Sequence, residues 1–193
     1  MSAGTEVGDD GRRRCPWGLT TPEYVAYHDD EWGQPIHDDN ALYERLTLEG
    51  FQSGLSWLTI LRKRENFRKA FAGFDIDTVA AYDDGDRARL LADAGIVRHP
   101  GKIDAAINNA RAAAVLGEPL SQLIWRFAPD ASPAPVSVSD VPGQTAESKA
   151  LAKELRQHEF RFVGPTTAYA LMQAAGLVND HLADCWARER IRA

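Results

Sequence analysis

The chain has 193 residues, a formal net charge of −6, 44% hydrophobic residues and 26% charged residues. That balance belongs to a globular protein with a sizeable core, and the acidic excess argues against a non-specific nucleic-acid binder, which is usually basic. No apolar run approaches the roughly 20 residues that a membrane helix needs, so no membrane partner is expected and the expected compartment is the cytoplasm.

Residues 1–14 are polar, carry Gly4, Gly8 and Gly11, and are expected to form a disordered tail without the apolar stretch of a secretory signal. Thr20 or Thr21 can cap a first helix, with Pro22 in its first turn and Glu23 near its positive end. Tyr24, Tyr27 and His28 then share one helix face. After a loop at Gln34–His37, Asp38 or Asp39 caps the stretch that organises the rest of the chain, residues 42–61. This stretch starts as an amphipathic helix through Leu42 and Leu46 and changes character at Gly50 and Gly54, which weaken a helix and admit a second backbone. One carboxylate, Glu49, lies between the apolar Leu46 and Leu48 and the apolar Phe51, Leu55, Trp57 and Leu58. It is either a solvated charge or a buried acid facing room for a flat ligand.

A basic amphipathic helix is predicted over 56–71, followed by two short helices at 75–82 and 86–94, split by Asp83-Asp84-Gly85. Helices follow at 102–115 and 120–127. Residues 128–144, rich in Pro, Ser and Val, form the longest irregular stretch, with a weak strand candidate at 135–138. A polar helix over 146–157, capped by Thr145, precedes a turn at Gly164 and a helix at 167–175 that begins near Pro165 and stops at Gly176. A last helix from near Asn179 carries His181 and Cys185. The pattern is all-α, with no βαβ unit.

The two cysteines, Cys15 and Cys185, lie near opposite ends of the chain. They can pair as a disulfide in an oxidising compartment. With His28 and His181 they can instead complete a closed tetrahedral set suited to zinc, leaving no open position for catalysis. Phe162-Val163-Gly164-Pro165-Thr166 has the shape of a helix–hairpin–helix turn, in which backbone N–H groups hold a phosphate without reading sequence. Helix pairs with a glycine turn also occur simply as packing units.

Several strings, in order and at family spacing, carry a resemblance. They include Cys15-Pro16-Trp17, Tyr24 through Gly33, Leu48-Glu49-Gly50-Phe51-Gln52-Ser53-Gly54-Leu55-Ser56-Trp57, Arg62 through Phe67, Asp93 through His99, Asn109-Ala110-Arg111, Phe162-Val163-Gly164 and Met172 through His181. Together the chain from about Cys15 to Cys185 resembles the bacterial 3-methyladenine DNA glycosylase I family. The resemblance implies a helix–hairpin–helix glycosylase fold spanning 15–186, with residues 187–193 as a C-terminal tail. It implies a structural zinc held by Cys15, His28, His181 and Cys185. It implies excision of 3-methyladenine from double-stranded alkylated DNA by a monofunctional enzyme. Glu49 is the implied catalytic, base-bonding residue, with Tyr27 and Trp57 forming the pocket and Trp17 and Tyr24 around it. Asp180, beside the zinc ligand His181 and roughly where most helix–hairpin–helix glycosylases carry a catalytic Asp, is read as a supporting or capping residue, with catalysis as the alternative. Leu55 is either near the gap left by a flipped nucleotide or in the core. Monomer is the default expectation. Two rivals stand beside this reading: a module that binds alkylated DNA without cleaving it, and a zinc-clasped domain that binds a protein partner through 128–144.

Overall fold

The helices begin where capping chemistry places them. In the computed structural model, described for residues 4–191, α1 (Pro22–Asp30) starts at Thr21, whose hydroxyl accepts from the Tyr24 N–H. Asp38 caps α2 (Asp39–Gln52) by accepting from the Ala41 N–H at 2.8 Å. Ser56 caps α3 (Trp57–Ala70). Asp75 caps α4 (Ile76–Ala80), and Asp83 forms a reciprocal capping box with Asp86 at α5 (Asp84–Ala92). The remaining helices are α6 (Pro100–Ala114), α7 (Leu120–Trp125), α8 (Ala146–Gln157) and α9 (Pro165–Ala174). Each cap satisfies one of the orphan N–H groups of a helix start, which isolates these short helices from fraying.

The spine is α2. Every residue from Arg45 to Phe51 is buried, so this helix is enclosed on all sides rather than amphipathic in the usual sense. Phe51 packs its ring 4.7 Å from that of Phe67, and the cluster extends to Phe71 and Phe74. Asp39, not needed at its own helix, accepts from the Leu120 and Ser121 N–H groups and so caps α7 from 81 residues away in sequence. The loop before α2 sits on the end of α9, where Ile36 N–H donates to the Ala175 carbonyl at 3.1 Å. Gly176 there has φ +78, and a Cβ on it would lie 2.6 Å from the Gly33 carbonyl oxygen, so only glycine fits.

The structure corrects four expectations. Residues 4–14 are not a loose tail. Strand β1 (Glu6–Val7) pairs antiparallel with β2 (Arg13–Arg14), with Glu6 opposite Arg14. Arg14 is buried because it bridges two carboxylates, Asp10 at the hairpin tip and Asp29 on α1. Residues 1–3 of that expected tail lie outside the described residues. The expected C-terminal tail likewise folds back as far as Ile191, with Arg188 donating to the carbonyls of Asn179 and His181 at 2.7 Å each; 192–193 lie outside the described residues. No strand forms at 135–138, where a 3-10 turn at Val138–Asp140 is held by the Asp140 carboxylate instead. Finally, His181 and Cys185 stand on irregular backbone, not on a helix.

Candidate active site and metal centre

One face of α1, the C-terminal turns of α2 and the start of α3 meet around a cavity of about 510 Å³, a volume within the roughly 300–1,000 Å³ of small-molecule sites. Its walls are aromatic: Trp17, Tyr24, Tyr27, Trp32 and Trp57. They form one interlocked set, with Trp17 edge-on to Tyr24 at 5.6 Å and to Trp32 at 5.0 Å, and Tyr27 tilted against Trp57 at 5.4 Å. Tyr24 also accepts the Leu58 N–H through its hydroxyl at 3.0 Å, tying α1 to the first turn of α3.

Glu49 reaches this cavity from α2 and is 6% exposed. No hydrogen bond to its carboxylate is found among the described residues. Burial pushes the carboxyl up to about 8, and the nearby Arg45 charge works in the opposite direction. The indole Nε1 of Trp57 is likewise buried without an acceptor. A buried carboxyl and a buried N–H left unpaired beside an open cavity are groups waiting for a ligand, since such groups are normally satisfied. Asp180 lines the same cavity, but one of its oxygens is already taken: Oδ2 accepts from the Tyr169 hydroxyl at 2.6 Å and from Gln173 Nε2 at 2.8 Å.

The predicted site residues Glu49, Tyr27, Trp57, Trp17 and Tyr24 are thus brought together around one cavity. Trp32, Gln52 and Gln173 line it too and were missed as site residues. Trp32 carried a signal, an aromatic immediately after an acidic run and before a glycine. Leu55 is 41% exposed, on the turn between α2 and α3, so it is not in the core. Gly54 in that turn has φ +81, which favours glycine. Gly50 does face Phe162 in the turn after α8, but a Cβ there would meet it at an ordinary 3.7 Å, so close approach does not demand glycine at that position.

Cys15, His28, His181 and Cys185 are all buried, and their ligand atoms all lie within 4.8 Å of one another, a group that can hold a metal ion. His28 Nε2 is 3.2 Å from His181 Nδ1, and Cys185 Sγ is 3.5 Å from each of them. Cys15 Sγ is 4.0 Å from His181 Nδ1. The outward nitrogens are engaged elsewhere: His28 Nδ1 with Asp29 at 2.8 Å and His181 Nε2 with the Trp32 carbonyl at 3.1 Å. Both inward nitrogens are therefore free to ligate, the arrangement that outer partners impose on metal-binding imidazoles. The two thiols act on each other: the hydrogen bond between them pushes Cys15 up and holds Cys185 down, a direction that His181 and His28 reinforce. A Cβ on Gly18 would fall 2.7 Å from the His28 ring, so the 3-10 turn at Pro16–Leu19 can press against the cluster only with glycine there.

The cluster and the cavity share walls. Cys15 lines the cavity, Trp17 lies edge-on to His28 at 5.2 Å, and Trp32 lies edge-on to His181 at 4.7 Å. On another face α8 and α9 form a helix pair joined by residues 158–164. Asn109 of α6 clamps that turn in both directions, accepting from the Arg161 N–H at 2.7 Å and donating to the Arg161 carbonyl at 3.0 Å. Phe162, at φ +56, projects outward and is 44% exposed. The N–H groups of Val163 and Gly164 have no acceptor among the described residues. Lys102 of α6 donates to the carbonyls of Phe51 and Ser53, bracing the turn that presents Leu55.

Comparison with known proteins gives a consistent picture. A family model described as methyladenine glycosylase matches residues 17–189. DNA-3-methyladenine glycosylase 1 of Escherichia coli (strain K12) is 48% identical over 178 residues, 89% of this chain and 95% of the relative. A crystal structure of 3-methyladenine DNA glycosylase I superposes with a TM-score of 0.86 at 46% identity, covering 90% of this chain and 98% of the other. A structure that addresses 3-methyladenine recognition by the Staphylococcus aureus glycosylase I superposes with a TM-score of 0.86 at 35% identity, covering 91% of this chain and 96% of the other. The mostly helical architecture matches that glycosylase fold, and with a family match across nearly the whole folded part, this chain belongs to the methyladenine glycosylase family.

Proposed function

We propose that this protein is a monofunctional DNA-3-methyladenine glycosylase that takes N3-methylated adenine out of double-stranded DNA and hydrolyses its N-glycosidic bond in base-excision repair. The observation that carries the reading is Glu49, a buried carboxyl without a partner at an aromatic cavity, in a chain of this family. The glycosylase unit spans 15–186, built on a helix–hairpin–helix fold, and acts as a monomer in the cytoplasm.

The chemistry follows from the substrate's charge. Methylation at N3 makes the purine cationic and weakens its bond to C1′, so the base departs with the bonding electron pair as a neutral molecule. Water then adds to C1′ and releases a proton to solvent. The protein must extract the base and hold it. The electron-rich faces of Tyr27, Trp57 and the flanking Trp17 and Tyr24 attract a cation, at about 0.5–2 kcal/mol per contact. The Glu49 carboxylate accepts from the exocyclic amine and complements the charge. Neutral adenine receives neither benefit in full, so the groups that bind also discriminate. No lysine lines the cavity among the described residues, and the buried Lys102 is engaged with backbone carbonyls. Schiff-base lyase chemistry is therefore not expected.

Cys15, His28, His181 and Cys185 would hold a structural zinc. Tetrahedral bonds of about 2.3 Å to sulfur and about 2.0 Å to nitrogen require edges of roughly 3.3 Å between nitrogens and roughly 3.5 Å between nitrogen and sulfur. The 3.2 Å and 3.5 Å separations among His28, His181 and Cys185 fit that solid, while Cys15 Sγ stands somewhat wider, 4.0 Å from His181 Nδ1. A divalent cation would let both thiols ionise and would tie the two ends of the chain behind the Trp17 and Trp32 walls. The unpaired amides of the 158–164 turn suit a DNA phosphate, and the exposed Leu55 and Phe162 offer apolar surface to a duplex.

The test is release of free base from methylated duplex DNA, separated by chromatography, for wild type and Glu49→Gln. Release of 3-methyladenine by wild type and its loss in a folded variant supports the assignment. A folded, metal-loaded wild type that binds methylated DNA and frees nothing replaces it with the damage-binding module.

A further inference from the structure

Arg45 lies one turn before Glu49 on α2, so the two side chains share a helix face. It does not line the cavity. Its guanidinium lies 5.4 Å from the centre of the Tyr27 ring, one of the cavity walls. Nη2 donates to Glu31 at 2.9 Å, and Glu31 is held from the other side by Arg64. Nη1 is buried and finds no acceptor among the described residues. An arginine that is 7% exposed with an unused donor is costly to keep, and the Glu31–Arg64 pair stands without it. Its position suggests a task at the neighbouring carboxyl.

Other titratable groups surround Glu49. Tyr24 and Tyr27 approach from α1, and Asp180 lines the same cavity from the segment after α9. Glu31 and Arg64 lie behind Arg45. Burial raises the Glu49 carboxyl, and Arg45 is the charge that pulls it back.

We propose that Arg45 is a positioning residue for base recognition, favouring the ionised form of Glu49 for the cationic base and bracing the Tyr27 ring from outside the cavity. The proposal rests on the reading of Glu49 as the base-binding carboxylate. The arrangement keeps the competing positive charge off the ligand: Arg45 acts from behind the wall, and Glu31 offsets it there. Arg45 thus eases ionisation of Glu49 without a cation lining the cavity itself, and the positive charge of the methylated base completes it.

The experiment measures kcat/KM for 3-methyladenine release against pH for wild type, Arg45→Met, Arg45→Lys and Glu49→Gln, alongside a ¹³C NMR titration of the Glu49 carboxyl. The expected result is an acid limb set by Glu49 that moves upward by about one pH unit in Arg45→Met, making the variant about tenfold slower at pH 6. It recovers toward the wild-type plateau at high pH, and Arg45→Lys stays near the wild-type limb. A folded Arg45→Met with an unmoved limb and an unmoved Glu49 titration overturns the proposal. An acid limb that persists unchanged in Glu49→Gln overturns the underlying reading of Glu49 instead. If Arg45→Met does not fold, Arg45→Gln, which keeps a polar amide in the buried site while removing the charge, is subject to the same two outcomes.

Discussion

The cavity and the candidate metal cluster both bury polar groups, yet they treat those groups in opposite ways. Around the cluster both outward imidazole nitrogens are satisfied, and a relay runs outward from His28 through Asp29 and Arg14 to Asp10. Around the cavity the Glu49 carboxylate and the Trp57 N–H are left unpaired. A saturated constellation holds structure, and an unsaturated one keeps its free energy for a ligand. The shared walls, Trp17 and Trp32, make the first the scaffold of the second.

The sharpest way to break this comparison is to remove a ligand of the cluster. Cys185→Ala is expected to abolish stoichiometric metal and to cost well over about 3 kcal/mol, because structural metal binding is folding free energy. Metal quantification with thermal melts checks this, and a strong chelator should lower the wild-type melting temperature in the same direction. A variant that melts like wild type would mean the cluster does not scaffold the cavity.

Glu49→Gln should separate activity from stability. Release of 3-methyladenine is expected to fall by about 100-fold or more, the order of effect seen when a preorganised charge partner is lost. Stability should change in the other sense. The folded-state carboxyl is raised to about 8, so the native state binds the extra proton. Its contribution is full below the unfolded value near 4.5 and is lost as pH rises through 8. Denaturant melts should therefore show wild type weakening between about pH 5 and 8 relative to Glu49→Gln. A flat difference across that window would show that Glu49 titrates normally.

Asp29→Asn leaves all four ligands in place and removes the carboxylate that orients His28. Metal affinity is expected to weaken by about 10–100-fold, read by competition with a chromophoric chelator. Smallest in stability is Leu55→Ala, on an exposed turn: a change within about 0.5 kcal/mol, accompanied by weaker binding to methylated duplex DNA in a fluorescence titration. A large stability loss there would return Leu55 to the core.

Most of the helices were legible from local chemistry. Thr21, Ser56, Asp75 and Thr145 announce their helix starts, and Gly176 its stop, because capping acts over three or four residues. The hairpin over residues 4–14 was not legible. Its strands are two residues long, and it is held by Arg14 reaching Asp29, a partner 15 residues away that no local pattern names. His181 and Cys185 looked like one helix face at a four-residue spacing. Irregular backbone places them on the cluster just as well, since Arg188 holds the chain there. Trp32 was passed over because its acidic neighbours suggested a helix end rather than a wall.

By itself the sequence determined the helical class, the helix starts, the four candidate metal ligands and the suspicion attached to Glu49, since these depend on residue type and short spacing. Only the tertiary structure decided that Glu49 is buried, unpaired and ringed by aromatics, that Arg45 stands behind it, and that the cluster braces the cavity. Desolvation and pairing are set by what distant segments bring within a few ångströms, and α1, α2, α3 and the segment after α9 meet there only once the chain has folded.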